Sequence, residues 1–348
     1  MSGLHDLAAA ALRTVDPEAA HRLTVRALAL GLGPRAAAPD PILATNVAGL
    51  SLPGAIGLAA GFDKNAEVFG PMLRAGFGFV ECGTVTPLPQ AGNPQPRLFR
   101  LTADQGVINR MGFNNAGLEA FSDRIGRPGR PGPVGANIGA NKESDDRIGD
   151  YVTGLKRLWG LADWFTLNIS SPNTPGLRAL QTRAALEELL GRAAEARGAL
   201  PQDKAVPLFL KVAPDLDDAE IEAIVDTALA SGLSGIIVAN TTVSRPPLRS
   251  PLAGEAGGLS GAPLRDLAQS VLGRFNTVAA GRLPLIGAGG IASGADAYAR
   301  IRAGASAVQL YSALVYAGPG LIVRIRRDLA ARLRADGFTA VSEAVGAR

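Results

Sequence analysis

Lys211 stands inside an apolar run, Leu208-Phe209-Leu210-Lys211-Val212. A lysine there is costly to bury unless it is paired or neutral. The chain holds only five lysines, and a second, Lys64, follows another apolar run in IGLAAGFDK. No carboxylate adjoins Lys211, and Asp215 lies beyond a proline. Two partners would answer the charge: an anionic cofactor or intermediate, or a carboxylate from a distant segment. A third run, WFTLN, leads into Ser170-Ser171-Pro172-Asn173-Thr174. Serines at such a turn can serve as nucleophile or base. Neither histidine, His5 or His21, is near them in sequence, and the pattern alone leaves both roles open.

Other segments carry binding chemistry. GAGGIASGADAY (287–298) sets glycines between a strand-length run and a helical one. Its backbone N–H groups and the helix start can hold a phosphate, though the same pattern also occurs in ordinary turns. The stretch 84–115 is long, with proline and glycine throughout, and holds Asn109, Asn114 and Asn115. Long ordered loops are often lids or substrate walls. Neutral amides suit a planar ligand with its own donors and acceptors, such as a pyrimidine.

The elements that position these residues are legible as eight short apolar runs: 56–61, 79–83, 133–139, 164–170, 207–212, 235–240, 284–289 and 307–311. Most are continuous rather than alternating, as expected of parallel strands covered on both sides. Helical segments such as RAALEELLGRAAEAR and DDAEIEAIVDTALASG lie between many of them. Eight strand–helix units predict a (β/α)8 TIM barrel of the α/β class, with a doubly wound sheet as the alternative. In a barrel the C-terminal strand ends share one face. That face would collect Gly61 to Asn65, Gly83-Thr84, Asn137, Asn168, Ser171, Lys211, Asn240-Thr241, Gly287 to Gly290 and Tyr311-Ser312. Ahead of the barrel, residues 4–31 read as two helices. Asp16 is the expected N-cap of the second, Pro17 its first residue and Gly31 its stop. A linker rich in proline and alanine, 32–41, follows. The expected division is an N-terminal helical extension, 1–40, and a catalytic barrel, 41–348.

Composition sets bounds. With 348 residues, 47% hydrophobic and 19% charged, a large core is available. The single cysteine, Cys82, excludes a disulfide framework and a cysteine-based zinc site, and suits a reducing cytoplasm. It is expected to pack in the core, as are Trp164 and Phe165. His5 is expected at the surface, and His21 either on a helix face or in the wall of a ligand tunnel. Net charge is +4, but the arginines are scattered, so no nucleic acid partner is expected. Weak attraction to an anionic membrane surface is compatible with this charge. No uncharged apolar run reaches the ~18 residues of a membrane span. The acidic Asp6 and the lack of a basic start argue against a secretory signal.

As a set, AAGFDKNAE, GTVTPLPQAGNPQPRLFR, NRMGFNNAG, NISSPNTPGLR, GGLSGAPL, GAGGIASG and VQLYSALVY resemble dihydroorotate dehydrogenase, over about residues 45–315. DPEAAHRL (16–23) resembles the N-terminal extension of the quinone-linked class 2 enzymes. Class 1 enzymes lack it and use a cysteine as base, where this chain has Ser171.

The resemblance implies oxidation of dihydroorotate to orotate in pyrimidine biosynthesis, with FMN as cofactor and a membrane quinone as acceptor. It implies Ser171 as the base at carbon-5, with hydride passing from carbon-6 to the flavin. It implies FMN contacts at Ala60, Gly61, Phe62, Asp63 and Lys64, at Thr84, Asn137, Asn168 and Lys211, and at Ala239, Gly261, Gly290, Tyr311 and Ser312. Relatives often carry threonine where this chain has Ala239. Dihydroorotate would meet Lys64, Asn109, Arg110, Met111, Gly112, Phe113, Asn168, Asn173, Asn240 and Thr241. No metal is implied. The expected state is a monomer held peripherally, through its N-terminal helices, on the cytoplasmic side of the cell membrane. A phosphate-binding barrel isomerase or lyase without flavin would share the glycine-rich site, but leaves NISSPNTPG beside Lys211 without a purpose.

Overall fold

Each of the eight apolar runs forms a parallel strand in the computed structural model, which describes residues 2–201 and 206–347. The strands are Ile56–Leu58, Phe79–Val85, Val134–Ile138, Trp164–Asn168, Leu208–Val212, Gly235–Val238, Leu285–Ala288 and Ala305–Leu310. They close into one barrel in chain order, the eighth pairing with the first. The doubly wound alternative is thereby excluded. Helices cover the outside, where Val80, Cys82, Phe165, Leu167, Leu210 and Val212 pack into the main core.

The period of two along each strand sorts the inward side chains into layers. Phe79, Trp164, Phe209, Ile237 and Ile286 fill the floor. Glycine on a neighbouring strand makes room for each aromatic. A Cβ on Gly135 would lie 1.9 Å from the Trp164 ring, one on Gly57 2.2 Å from Phe79, and one on Gly235 2.7 Å from Phe209. A hairpin of Thr45–Val47 and Leu50–Leu52 closes the floor from below with Val47 and Leu52. Above the floor the inward positions turn polar. Glu81, Asn137, Thr166, Asn168, Lys211 and Gln309 are all buried there.

The stretch 84–115 is more ordered than a loop. Leu98–Leu101 and Gly106–Asn109 form an antiparallel hairpin, and Gly258–Gly261 adds a third strand. The alternation in Leu98–Leu101 covers only four residues, too short to stand out beside the flanking prolines.

Two helices, α1 (Ser2–Leu12) and α2 (Pro17–Ala29), lie across the face formed by the C-terminal strand ends. Asp16 caps α2 as expected, accepting from the N–H groups of Glu18 (3.1 Å) and Ala19 (2.9 Å). Gly31 ends it with a φ of +81°. The Arg100 guanidinium donates to the carbonyls of Arg13, Val15 and Leu12, at 2.7, 2.7 and 3.2 Å. That satisfies the open C-terminal end of α1. Asp6 pairs with Arg324 at 2.9 Å and accepts the Gly320 N–H at 2.9 Å. The extension is thus bonded to the barrel at several points.

Candidate active site

A cavity of about 1000 Å³ opens where the strands end. It runs from Lys211, Asn168 and Ser171 out between α1 and α2, bordered there by Ala9, Leu12, Ala20, Thr24 and Leu28. At its inner end the polar residues form one connected network. Thr84 Oγ1 donates to Asn137 Oδ1 (2.5 Å) and accepts from Asn168 Nδ2 (2.8 Å). Asn137 Nδ2 donates to Glu81 Oε1 (2.6 Å), whose other oxygen accepts from Gln309 Nε2 (2.8 Å). Every amide is thereby held in one orientation.

Lys211 completes this inner end. Parallel pairing sets it opposite Asn168. It is buried, and it makes no hydrogen bond or ion pair to any described residue. Burial pulls its ammonium below the usual lysine range, and the nearby Glu81 carboxylate pulls the other way. A distant carboxylate therefore offsets part of the charge, without the contact of an ion pair. Gln309 Oε1, also buried, has no partner among the described residues. Both groups border the cavity.

The Ser170–Asn173 turn is fixed from several sides. Ser170 Oγ donates to Asn168 Oδ1 and accepts from Asn240 Nδ2, both at 2.8 Å. Ser171 Oγ points elsewhere: it borders the cavity and accepts the Asn173 N–H at 3.3 Å. Arg178 braces the turn from behind, donating to the Ser170 and Thr241 carbonyls (3.0 Å each) and pairing with Asp215 at 3.0 Å. Across the cavity, Lys64 Nζ donates to Asn114 Oδ1 at 2.8 Å, and burial lowers its pKa to about 8. Asn173 Nδ2 reaches Asn109 Oδ1 at 3.2 Å. Toward α2, Phe62, His21 and Tyr311 pack edge to face. Burial holds His21 down at about 4, so its ring is neutral at pH 7.

Residues 42–333 match the dihydroorotate dehydrogenase family. The chain belongs to that family. A relative from Azorhizobium caulinodans, dihydroorotate dehydrogenase (quinone), is 56% identical, with 99% of each chain covered. One of the same name from Rhodospirillum rubrum is 58% identical over 96% of this chain and 91% of its own. The crystal structure of DHODH from Eimeria tenella in complex with ferulenol aligns with a TM-score of 0.92. That match has 42% identity and covers 95% of each chain.

The site residues that the family resemblance implies border the cavity with three exceptions, Asp63, Asn137 and Arg110. Asp63 turns its carboxylate to the backbone N–H groups of Glu67 (2.7 Å) and Val68 (2.8 Å). Complete burial raises its pKa to about 6 against those two bonds. Asn137 sits one layer below the cavity, as described. Arg110 turns outward, over the Phe99 ring and onto Glu255 at 2.7 Å. It borders instead a second cavity of about 270 Å³, shared with Lys142 and Asn173. His5, expected at the surface, is half-buried and borders the main cavity, because α1 folds over the barrel face. His21 takes the tunnel-wall alternative. Cys82, Trp164 and Phe165 are core residues, as expected. Sequence reasoning missed Glu81, Arg97, Arg178 and Gln309. Glu81 carried a usable signal, since a carboxylate inside the run FVECG is as costly to bury as a lysine.

Proposed function

We propose that the chain oxidises (S)-dihydroorotate to orotate, with FMN as the resident cofactor and a membrane quinone as electron acceptor. The observation that carries this reading is the unmatched Lys211 ammonium at the inner end of a cavity that continues between α1 and α2. The names of the relatives agree with the reaction and the acceptor.

The residues present suit FMN. Lys211, Gln309 and Asn168 would hold the polar edge of a flavin ring, and the backbone of Gly289 and Gly290 after the seventh barrel strand would hold its phosphate. Thr84 and Ala239 border the same space. FMN bound there would supply the redox chemistry, acceptance of the carbon-6 hydride and delivery of the electrons to quinone. The remaining chemistry belongs to the chain. Ser171, 6% exposed, takes the carbon-5 proton and gives its own to water. Asn109, Asn173 and Asn240 hold the ring and the negative charge that develops on it. Lys64 faces the substrate carboxylate.

Lys64 gives the substrate side a pH dependence. With its pKa at about 8, its ammonium is present below that pH and lost above it. Orotate affinity should hold steady up to about pH 7 and then weaken by up to about tenfold per pH unit above 8. Lys64→Gln should flatten the profile. Calorimetric titration of orotate from pH 6 to 9 measures it, and an equal slope in the variant refutes the assignment.

The extension reads as the quinone path and the membrane contact. Leu7, Leu23, Leu30 and Leu32 expose 68%, 47%, 78% and 65% of their surface on it. Among the described residues no helix is long and apolar enough to cross a membrane. An amphipathic pair of this kind lies on a bilayer surface. On this reading residues 1–40 form a functional unit on the barrel, residues 41–348, at the cytoplasmic side of the cell membrane.

Anaerobic stopped flow tests the function as a whole. Dihydroorotate should bleach the purified yellow protein, and a quinone should restore the colour. Colourless protein, or colour unmoved by dihydroorotate, refutes the reading.

A further inference from the structure

The first turn of α2 buries a charge. Glu18 is 8% exposed and meets Arg97, equally buried, through two hydrogen bonds, Arg97 Nε to Oε2 at 3.0 Å and Nη2 to Oε1 at 2.8 Å. A buried ion pair is weak ground for stability, because desolvation offsets the attraction. What a two-pronged pair supplies is direction. The remaining guanidinium nitrogen shows where that direction leads. Arg97 Nη1 donates to the carbonyls of Ala91 (2.6 Å) and Asn93 (2.7 Å). Asn93 in turn donates through Nδ2 to the carbonyls of Arg110 and Asn173, each at 3.0 Å. Its backbone N–H donates to Met111 O at 3.0 Å. Asn173 then meets Asn109 through its side chain and Ser171 Oγ through its N–H. The path is short and uninterrupted: α2, Arg97, the 91–93 segment, and the turn that carries the base.

We propose that Glu18 is a positioning residue for the substrate side of the site, acting through Arg97 and Asn93 on Asn173 and the Arg110–Met111 wall. This rests on reading the cavity as a dihydroorotate site. The extension then completes the substrate pocket as well as bordering the quinone path. Three residues after Glu18, on the same helix, His21 packs against Phe62 and Tyr311. One rigid helix therefore touches both halves of the reaction.

Orotate binding to the full-length, FMN-loaded protein tests the proposal by calorimetry, with FMN content and thermal midpoint recorded for each variant. Glu18→Ala should weaken orotate on the order of tenfold, within the usual range of coupling between sites, at unchanged FMN content. Glu18→Gln should recover part of that loss, since its amide oxygen still accepts one guanidinium N–H. Arg324→Ala, which removes the ion pair from the separate Asp6 tether, should change orotate affinity by less than about twofold. Steady-state assays should place the Glu18 effect in KM for dihydroorotate, with kcat nearly unchanged. Wild-type affinity in both Glu18 variants overturns the proposal, and so does an equal loss in Arg324→Ala. If Glu18→Ala does not fold, the comparison of Glu18→Gln with Arg324→Ala decides by the same criteria. A wild-type protein that binds no orotate overturns the functional reading itself, and this inference with it.

Discussion

Replacing Ser171 with alanine is expected to slow flavin reduction by dihydroorotate by about 10²- to 10⁴-fold, the usual worth of a positioned acid–base group. FMN content should not change, because among the described residues Ser171 Oγ bonds the Asn173 N–H and takes no part in the Thr84–Asn137–Asn168 network. A serine hydroxyl is a poor base in bulk water. Here it is nearly buried, on a turn braced by Arg178 and next to amides that can stabilise the developing charge. The carbon-5 proton is itself acidified by the neighbouring carbonyl. No histidine is needed: His21 lies toward Tyr311, with its ring neutral at pH 7. Ser170→Ala should cost much less, through looser placement of Asn168 and Asn240. Single-turnover reduction measured at saturating dihydroorotate separates the two. Near wild-type reduction in Ser171→Ala would remove it as the base.

Filling the passage between α1 and α2 should separate the two half-reactions. Ala9 and Thr24 border the cavity from opposite helices. Ala9→Trp or Thr24→Trp places a ring in space that a long-tailed quinone must occupy. Turnover with that quinone should fall on the order of 10²-fold, the penalty for displacing a reactant by a small distance. Reduction by dihydroorotate should persist, and a small water-soluble acceptor should still reoxidise the protein. Equal losses with both acceptors would mean that the helices only support the barrel. Point substitution is the sharper tool here. Deleting residues 1–40 would also take Glu18 from Arg97 and leave a buried guanidinium unpaired.

The sequence was most readable where burial is two-sided. The eight barrel strands announce themselves as continuous apolar runs, and polar residues at their ends mark the face of the site. Lys211 was legible for the same reason, as a charge with no local excuse. The side sheet was not, because its strands have four residues each and its third member, Gly258–Gly261, joins from far along the chain. Glu81 and Arg97 were hidden in another way. Arg97 looks ordinary within its own segment, and Glu81 stands out there only as a buried carboxylate; the meaning of each lies in a partner on another element, Asn137 and Gln309 for Glu81 and Glu18 for Arg97. Arg110 shows the converse. A motif brings a residue to the right segment, but the side chain chooses its side of the wall by what it meets there, in this case Phe99 and Glu255.

The floor of the barrel bears on how the strands find one another. Each floor aromatic sits directly beside its glycine across the ladder: Gly57 beside Phe79, Gly135 beside Trp164, and Gly235 beside Phe209. Parallel strands have no tight turn to fix their alignment, and a slip of one residue exchanges the inner and outer faces. A slip of two would keep the faces but press the ring against a side chain instead of a gap. The three pairs therefore act as keys that admit one alignment and reject its neighbours. They also tie the fates of the paired positions together. An alanine at 135 is tolerable only alongside something smaller than tryptophan at 164, so such sites should change in concert or not at all.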